Sequence, residues 1–341
     1  MSSSGDNVEK MEAAPSAAAR LLKLLQKSVG RSKADGESDG DAGPGSDLVL
    51  VPAAYDALSA KLVQEAGFPA VFSAGYAMAA SRGMPDTGLI SFREIVDAHQ
   101  FMCEAVADKF PVIADGDDGY GNAMNVKRTV KSFHRVGVAM VMLEDQVAPK
   151  QCGHTEGKQV VSHEEAVQKI RAACDARDEL RMERGLREDD PGILILARTD
   201  ARGPLGLEEA ISRCKDFLEA GADATFLEAP QSIEEMKTYC EQVPGIKMAN
   251  MLTRGKTPSL SGQQLREIGF TFAAYPFDLL LAAKDAVKRC LVELKDQTKA
   301  PEAPPADSVE ELWELTGFRS YEREEVKYAC KEAKRARLSQ K

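Results

Sequence analysis

The chain has 341 residues, of which 43% are hydrophobic and 29% are charged, a composition typical of a folded globular protein. Its formal net charge of −10 argues against a nucleic acid as the main partner, and no run of 18 apolar residues could cross a membrane. The seven cysteines form no C-x-x-C pair, so reduced thiols in a cytoplasmic protein are expected, and not a disulfide framework.

The first 47 residues are predicted to be an extension ahead of the main domain. Residues 20–26 have the apolar spacing of a short helix, whereas residues 32–46 combine glycine, serine and acids with no apolar side chain that could build a core. The second segment is therefore expected to be a flexible insertion. Residues 17–31 are basic and amphipathic, which keeps a mitochondrial presequence open beside the cytoplasmic location.

Residues 48–298 are predicted to form one catalytic domain, because short apolar runs of β-strand type alternate there with segments of helical period. The apolar runs lie at 48–52, 70–73, 111–114, 139–143, 193–197, 224–227, 246–249 and 270–274. The helical segments include 57–66, 92–107, 125–136, 163–183, 207–220 and 233–243. Eight such units predict parallel strands that close into a (β/α)8 TIM barrel. A doubly wound open sheet is the alternative, weakened because no G-x-G-x-x-G follows the first strand.

Residues 299–341 are predicted to be a linker and a helical appendage. The segment 299–307 is rich in proline and alanine, and residues 309–337 have the pattern of charged amphipathic helices with the single tryptophan, Trp313. A helical appendage after a complete barrel packs on a neighbouring subunit or on the outside of its own barrel. Contact with a neighbouring subunit is the favoured expectation.

Polar residues follow most of the predicted strands. They are Ser73, Asp115, Asp117, Asp118, Glu144, Asp145, Arg198, Asp200, Glu228 and Asn250. Because the carboxyl ends of parallel barrel strands lie on one face, these side chains are expected to converge on one pocket. The alternative is that loops are polar wherever strands end, which is harder to maintain for the whole set than for any one residue.

Two elements of this pattern suggest particular chemistry. Asp115 and Asp117 stand two apart around Gly116, and carboxylates in that arrangement suit a hard ion such as Mg²⁺, with Glu144 as further support. The segment PKQCGHTEGK at 149–158 places Cys152 among polar residues and glycines, where nearby positive charge lowers a thiol pKa. A thiol of that kind can transfer a proton to or from carbon.

Together these motifs resemble those of the isocitrate lyase/phosphoenolpyruvate mutase superfamily. The resemblance rests on D-G-D-x-G-x-G, E-D-Q, K-x-C-G-H and A-R-T-D in that order, and it covers residues 48–297. It implies a TIM barrel of the phosphoenolpyruvate mutase type, Mg²⁺ or Mn²⁺ as the cofactor, and a homotetramer in which C-terminal helices are swapped between subunits.

The resemblance also implies roles for individual residues. Metal binding is expected of Asp115, Asp117 and Glu144. Catalysis is expected of Cys152, His154, Lys150, Arg198 and Glu144, with Cys152 as the proton-transferring residue. Substrate binding is expected of Ser73, Gly75, Tyr76, Asp86, Gly153, Arg198, Glu228 and Asn250. The base that removes the hydroxyl proton is unassigned, and Tyr76 and a metal-bound water are both candidates.

The function expected from the resemblance is Mg²⁺-dependent cleavage of a small 2-hydroxy-dicarboxylate, such as a 2-alkylmalate or a methylisocitrate-like acid. Oxaloacetate hydrolysis or decarboxylation on the same site is the alternative, and a phosphonate-forming mutase is less favoured because mutases lack the cysteine. The superfamily's 2-methylisocitrate lyases carry an arginine near the position of Leu281, which puts a tricarboxylate substrate in doubt. A non-enzymatic scaffold is disfavoured because the metal-ligand and thiol motifs are intact.

Overall fold

Eight parallel strands form a closed barrel in the part of the chain that the computed structural model describes, in the order β1 to β8. The described residues are 14–31, 48–106, 109–151, 157–252, 255–296, 298 and 308–328. The strands are β1 Val49–Ala54, β2 Val71–Ser73, β3 Val112–Asp115, β4 Met140–Glu144, β5 Leu194–Thr199, β6 Ala224–Leu227, β7 Ile246–Asn250 and β8 Phe272–Tyr275. The predicted (β/α)8 fold is confirmed, because β8 pairs with β1 and leaves no open edge.

Helices alternate with the strands along the chain. Their bounds are α1 Ala17–Arg31, α2 Ala57–Glu65, α3 Gly75–Ser81, α4 Phe92–Ala105, α5 Ala123–Arg135, α6 His163–Arg184, α7 Arg202–Leu205, α8 Leu207–Glu219, α9 Ile233–Gln242, α10 Gly262–Ile268, α11 Asp278–Lys295, α12 Ser308–Leu315 and α13 Phe318–Tyr328. No helix of the described residues is both long and apolar enough to cross a membrane.

The strands are apolar on both faces, as expected for a parallel sheet covered by helices. Every residue of β3, β4 and β5 is buried, including the acidic or basic residues near their carboxyl ends. Side-chain caps fix where several helices begin: Asp56, Ser91 and Asn122 each accept a backbone N–H of the first turn. The caps at Ser91 and Asn122 begin α4 and α5, which flank β3.

The helix α1 packs against the barrel, and the predicted segment 20–26 lies within it. Leu21 and Leu25 are fully buried, and the Ser28 hydroxyl donates to the carbonyl of Thr271 at 3.1 Å. Thr271 directly precedes β8, so α1 lies at the amino-terminal end of the barrel, opposite the predicted pocket. The predicted insertion at 32–46 lies outside the described residues.

The chain divides into two compact units, with the division between Asp278 and Leu279. The first unit contains the eight strands. In the second, Trp313 of α12 stacks on Phe318 of α13 at 5.7 Å, and the Arg319 guanidinium lies 4.5 Å from the centre of the Trp313 ring. The helices α11, α12 and α13 contain no buried residue. The predicted domain limits at 47/48 and 298/299 and the exchange of C-terminal helices stay predictions.

Candidate active site

A cavity opens at the carboxyl ends of the barrel strands. Nine of the residues predicted from the sequence line it: Gly75, Tyr76, Asp86, Asp115, Glu144, Lys150, Arg198, Glu228 and Asn250. Cys152, Gly153 and His154 lie outside the described residues. The convergence expected from the strand-end pattern is therefore present for most of the described candidates.

Ser73 and Asp117 are absent from the described lining of this cavity. Side chains alternate along a strand, and Phe72 is the residue of β2 that faces the cavity. The Ser73 hydroxyl instead donates to the sulfur of Met78 in α3, at 3.4 Å, and is fully buried. In this conformation the Ser73 hydroxyl is directed to Met78 and not to the cavity. Substrate binding by Ser73 stays a prediction.

Asp115, the last residue of β3, is held from two sides. Its Oδ2 accepts the backbone N–H of Gly75 at 3.1 Å, and its Oδ1 accepts the N–H of Asp117 at 3.0 Å. A Cβ added to Gly75 would lie 2.7 Å from Oδ2, so the glycine permits the close approach of α3 to this carboxylate. The same holds for Gly116, where an added Cβ would lie 2.7 Å from the carbonyl oxygen of Met142 in β4.

Lys150 lies between two carboxylates at one side of the cavity. Its Nζ is 2.5 Å from Asp86 Oδ1 and 2.6 Å from Asp117 Oδ1. The other oxygen of Asp117 accepts the Tyr120 hydroxyl at 3.1 Å. Burial opposes the charge of Lys150, but Asp117, Asp115, Glu144 and Asp86 outweigh burial and raise its pKa well above the usual value. Lys150 is therefore a buried ammonium ion, and Asp117 is engaged with it.

Arg198 lies on β5 and is surrounded by carboxylates. Its Nε donates to Asp200 Oδ2 at 2.8 Å and its Nη2 to Asp200 Oδ1 at 3.1 Å. Its Nη1 lies 3.2 Å from Glu144 Oε2, and its Nη2 lies 3.7 Å from Glu228 Oε2. Its guanidinium carbon is 5.5 Å from the centre of the Phe226 ring, which supports it from one side. Arg198 is thus a fixed cation in the wall of the cavity.

The cavity and its immediate surroundings hold more negative than positive formal charge. Among the residues that the structure describes, six carboxylates (Asp86, Asp115, Asp117, Glu144, Asp200 and Glu228) stand beside three cations (Lys150, Lys158 and Arg198). Burial, and then the charge of Asp117, raises the pKa of Asp115 to about 6. Burial is also the largest cause that raises the pKa of Glu144, against the opposing effect of Arg198. The site therefore favours either added protons or an added cation.

These features fit a divalent ion held by few protein ligands. Across the described ranges, no three His, Cys, Asp or Glu side chains form a ready-made metal cluster. Mg²⁺ does not need one, because it keeps several waters and is commonly bound through one or two carboxylates. Asp115 and Glu144 both line the cavity, and Oε1 of Glu144 is buried without a hydrogen-bond partner among the described residues. Of the three predicted ligands these two fit, whereas Asp117 is paired with Lys150.

Several residues around the site were not assigned a catalytic, binding or metal role from the sequence. Asp200 accepts hydrogen bonds from Arg198 and Lys158, and its backbone N–H donates to Asp145. The Tyr120 hydroxyl donates to Asp117, and the ring of Phe277 lies 4.3 Å from that of Tyr76. Asp200 follows Arg198 in A-R-T-D and Asp145 follows Glu144 in E-D-Q, so the strand-end pattern contains a signal for both. Nothing in the local sequence distinguishes Lys158 or Phe277 from ordinary loop residues.

Comparison with known proteins identifies the family. The family model described as phosphoenolpyruvate phosphomutase matches residues 44–295. The chain belongs to the phosphoenolpyruvate mutase/isocitrate lyase superfamily. It is 40% identical over 284 residues to 2,3-dimethylmalate lyase of Eubacterium barkeri, which covers 83% of this chain and 94% of the relative.

Two plant relatives carry different names. The chain is 38% identical over 282 residues to the petal death protein of Dianthus caryophyllus, covering 82% of this chain and 85% of the relative. It is 42% identical over 253 residues to the chloroplastic carboxyvinyl-carboxyphosphonate phosphorylmutase of Arabidopsis thaliana, covering 73% and 71%. This member of the superfamily is an enzyme, and its relatives include both lyases and a mutase.

Solved structures agree with the fold. A 2,3-dimethylmalate lyase matches with a TM-score of 0.80 at 30% identity, covering 93% of this chain and 97% of that structure. Oxaloacetate acetylhydrolase with the inhibitor 3,3-difluorooxalacetate matches with a TM-score of 0.78 at 31% identity, covering 90% and 95%. Phosphonopyruvate hydrolase in complex with oxalate and Mg²⁺ matches with a TM-score of 0.72 at 25% identity, covering 92% and 99%.

Proposed function

We propose that this enzyme is a Mg²⁺-dependent carbon–carbon lyase that cleaves a small 2-hydroxy-dicarboxylate with an alkyl substituent, such as a 2-alkylmalate. The observation that carries the proposal is the pairing of Arg198 with Glu144 in the same cavity as Asp115. A cation fixed in the wall can bind a substrate carboxylate, and the two buried carboxylates can bind the metal ion that a 2-hydroxy acid chelates.

The bond changes follow from the chemistry of the substrate. The hydroxyl at C2 loses its proton, the C2–C3 bond breaks, and a 2-keto acid leaves. The electron pair of the broken bond passes to the second fragment as a carboxylate-stabilised enolate, which then takes up a proton at carbon. Mg²⁺ held by Asp115 and Glu144 would supply Lewis-acid stabilisation of the negative charge that develops on oxygen.

The protein's own side chains have separate roles in this scheme. Arg198 and Asn250, both in the cavity wall, would hold the carboxylate of the departing fragment and share its growing charge. Lys150 keeps Asp86 and Asp117 in place beside Asp115. Tyr76 lines the cavity and remains a candidate for the base. Cys152 remains the proton donor predicted from the sequence.

The apolar part of the cavity wall supports the proposal that the substrate carries an alkyl substituent. Phe72, Phe226, Met248, Leu252 and Phe277 line the cavity together with the charged residues. Apolar side chains gain free energy from contact with a substituent that oxaloacetate lacks, about 0.8 kcal/mol for each buried CH₂. This favours a substituted malate over an unsubstituted substrate.

Oxaloacetate hydrolysis is the second candidate, because the matched oxaloacetate acetylhydrolase covers nearly the whole chain. A screen with separated products decides between the two. Purified enzyme with Mg²⁺, with Mn²⁺ and with EDTA is incubated with 2-alkylmalates, 2-methylisocitrate and oxaloacetate. A 2-keto acid from a substituted malate, lost with EDTA and restored by Mg²⁺, supports the lyase. Release of oxalate and acetate alone would replace it with the hydrolase.

The assignment of Arg198 has its own test in the same assay. Arg198→Lys keeps the charge but removes the planar group that binds a carboxylate through two hydrogen bonds, so kcat/KM should fall by about 100-fold. The matched control is Arg202→Lys. Arg202 pairs with Glu235 and does not line the cavity, so that variant should retain the wild-type rate.

A further inference from the structure

Lys158 is a buried lysine that lies outside the described cavity lining but contacts a residue that holds Arg198. Its Nζ lies 2.6 Å from Asp200 Oδ1, and the two side chains are 5% and 0% exposed. A lysine is rarely this buried unless it is paired, because removing an ammonium ion from water is costly. The role of the Lys158 charge is therefore inferred from Asp200, with which it pairs.

The partner, Asp200, is shared between two cations. Its Oδ1 accepts both Lys158 Nζ and Arg198 Nη2, and its Oδ2 accepts Arg198 Nε. The backbone N–H of Asp200 donates to Asp145 Oδ1 at 2.8 Å, which anchors the backbone that carries this carboxylate. Asp200 is thus fixed with one oxygen divided between Lys158 and Arg198.

The position of Lys158 is also set by its own backbone. Val161 donates its N–H to the carbonyl of Asp145, and Val147 donates its N–H to the carbonyl of Gln159, both at 2.9 Å. These bonds attach residues 159–161 to the segment that continues β4. The ammonium group is therefore presented to Asp200 by a backbone that is already anchored.

Without Lys158, the full charge of Asp200 would act on Arg198. Arg198 already faces Glu144 and Glu228, so a third uncompensated carboxylate would further reduce the positive potential that an anionic ligand meets there. The effect is larger than at a surface because all these groups are buried and weakly screened.

We propose that Lys158 is a positioning residue that shares the charge of Asp200 and so keeps the Arg198 guanidinium available to a carboxylate of the substrate. The inference rests on the proposed function for the identity of that anion. The geometry itself concerns Arg198 alone, which allows the two to be tested separately.

The first test uses Lys158→Gln, which keeps a hydrogen-bond donor for Asp200 but removes the charge. KM for the dicarboxylate should rise by about tenfold with kcat changed much less, and the Kd for oxalate in the presence of Mg²⁺, measured by calorimetry, should rise in parallel. Lys158→Arg restores the charge and should recover most of the affinity. A Lys158→Gln variant with wild-type KM and oxalate affinity overturns the inference.

The matched control is Lys247→Gln. Lys247 is also a buried lysine, but it lies near the amino-terminal end of β7, where its Nζ donates to the carbonyls of Val243 and Gly245. This variant should lose thermal stability without a change in KM. An equal rise of KM in both variants would show a general structural effect and would refute a specific role of Lys158.

The second test needs no substrate. The Nε–H of Arg198 is held by Asp200, so its ¹⁵N–¹H NMR signal, assigned by its loss in Arg198→Lys, reports on this contact directly. Lys158→Gln should shift that signal and Lys247→Gln should leave it in place. If the signal moves but no dicarboxylate is turned over, the proposed function fails and the positioning role stands. An unmoved signal sinks the positioning role whatever the activity.

Discussion

The position of the Asp115 carboxylate depends on the neighbouring Gly75, which has no Cβ. The carboxylate accepts the N–H of Gly75, and a Cβ added to Gly75 would lie 2.7 Å from Asp115 Oδ2. Gly75 matters here because it has no Cβ that would collide with the carboxylate, and not because of its backbone freedom. Under the proposed function, the metal ion needs this carboxylate in one place. Small changes at this point should therefore affect catalysis more than stability.

Gly75→Ala should lower kcat/KM by about 100-fold, because displacement of a ligand by about 1 Å has effects of that order. The affinity for Mg²⁺ should fall with it. Gly203→Ala is the matched control, since an added Cβ there meets its nearest atom, Lys158 Cε, at an ordinary 3.8 Å. Steady-state kinetics over a range of Mg²⁺ concentrations measure both, and equal effects in the two variants would contradict the steric argument.

The raised pKa of Asp115 has consequences for pH dependence. Its pKa is about 6 in the folded chain, against 3.8 as the ordinary value, so the folded state binds the proton more tightly than the unfolded state. The stability from that proton is fully present below about pH 4 and is lost as the pH rises through about 6. Mg²⁺ bound as proposed would reverse the effect, because a metal ion binds the ionised form of a carboxylate.

The expected result is that saturating Mg²⁺ raises the melting temperature by several degrees at pH 7.5 and by much less at pH 5. Thermal unfolding with Mg²⁺ or EDTA across this range measures it. Asp115→Asn should flatten the difference, whereas Asp118→Asn, in the same loop but outside the described cavity lining, should keep it. A Mg²⁺ effect independent of pH would contradict this assignment.

At the scale of elements, the carboxyl ends of β4 and β5 are joined by the buried side chain of Asp145. It accepts the Thr199 hydroxyl at 2.7 Å, the N–H of Asp200 at 2.8 Å and Nη1 of Arg213 at 3.0 Å. Arg213 comes from α8 and is itself 2% exposed, so one carboxylate connects two strands and a helix. Glu144 and Arg198, which precede these residues on the same strands, depend on that connection.

Removal of the Asp145 charge should be far more damaging than removal of the other acidic partner of Arg213. Asp145→Asn leaves a buried guanidinium without full compensation and should cost about 3–5 kcal/mol of unfolding free energy. Glu209→Gln, at a carboxylate 31% exposed, should cost less than about 1 kcal/mol. Urea unfolding of both variants measures the difference, and similar losses would show that burial does not decide the contribution.

On the largest scale, the helices of the second unit carry exposed apolar side chains. Val287, Leu291 and Leu294 of α11 are 57%, 54% and 56% exposed and recur at helical spacing. Trp313 and Phe318 add aromatic surface on α12 and α13. Apolar stripes of this kind mark protein–protein contacts. The homotetramer implied by the sequence resemblance stays a prediction, in which further copies of this chain would cover the stripe.

The chain should therefore behave as an oligomer whose mass depends on this stripe. Leu291→Glu places a charge among the apolar residues of α11 and should lower the mass measured by size-exclusion chromatography with light scattering. Lys288→Glu, on the same helix, places the same carboxylate outside the stripe, with an even larger change of charge, and should leave the mass unchanged. A monomeric wild-type protein, or equal dissociation by both variants, would reject this interface.

Much of this architecture is present in the linear pattern of the chain. Eight apolar runs spaced by helical segments predict parallel strands covered on both faces, and the number eight favours a closed barrel over a doubly wound open sheet. The polar residues after those runs also located the pocket, since every strand of a barrel ends on the same face. Asp115, Glu144 and Arg198 can be identified in this way from the sequence alone.

The contacts between groups that are distant along the chain are visible in the tertiary structure alone. The alternation of β2 directs Phe72 to the cavity and Ser73 to Met78, and Lys150 engages Asp117, which the D-G-D motif presented as a metal ligand. Lys158 is 42 residues from Asp200 in sequence and 2.6 Å from it in space. A local sequence pattern specifies secondary structure and the face of an element on which a side chain lies. The partner of a buried charge depends on how the barrel closes, because the cost of desolvating the charge must be offset by a group that the fold brings near it.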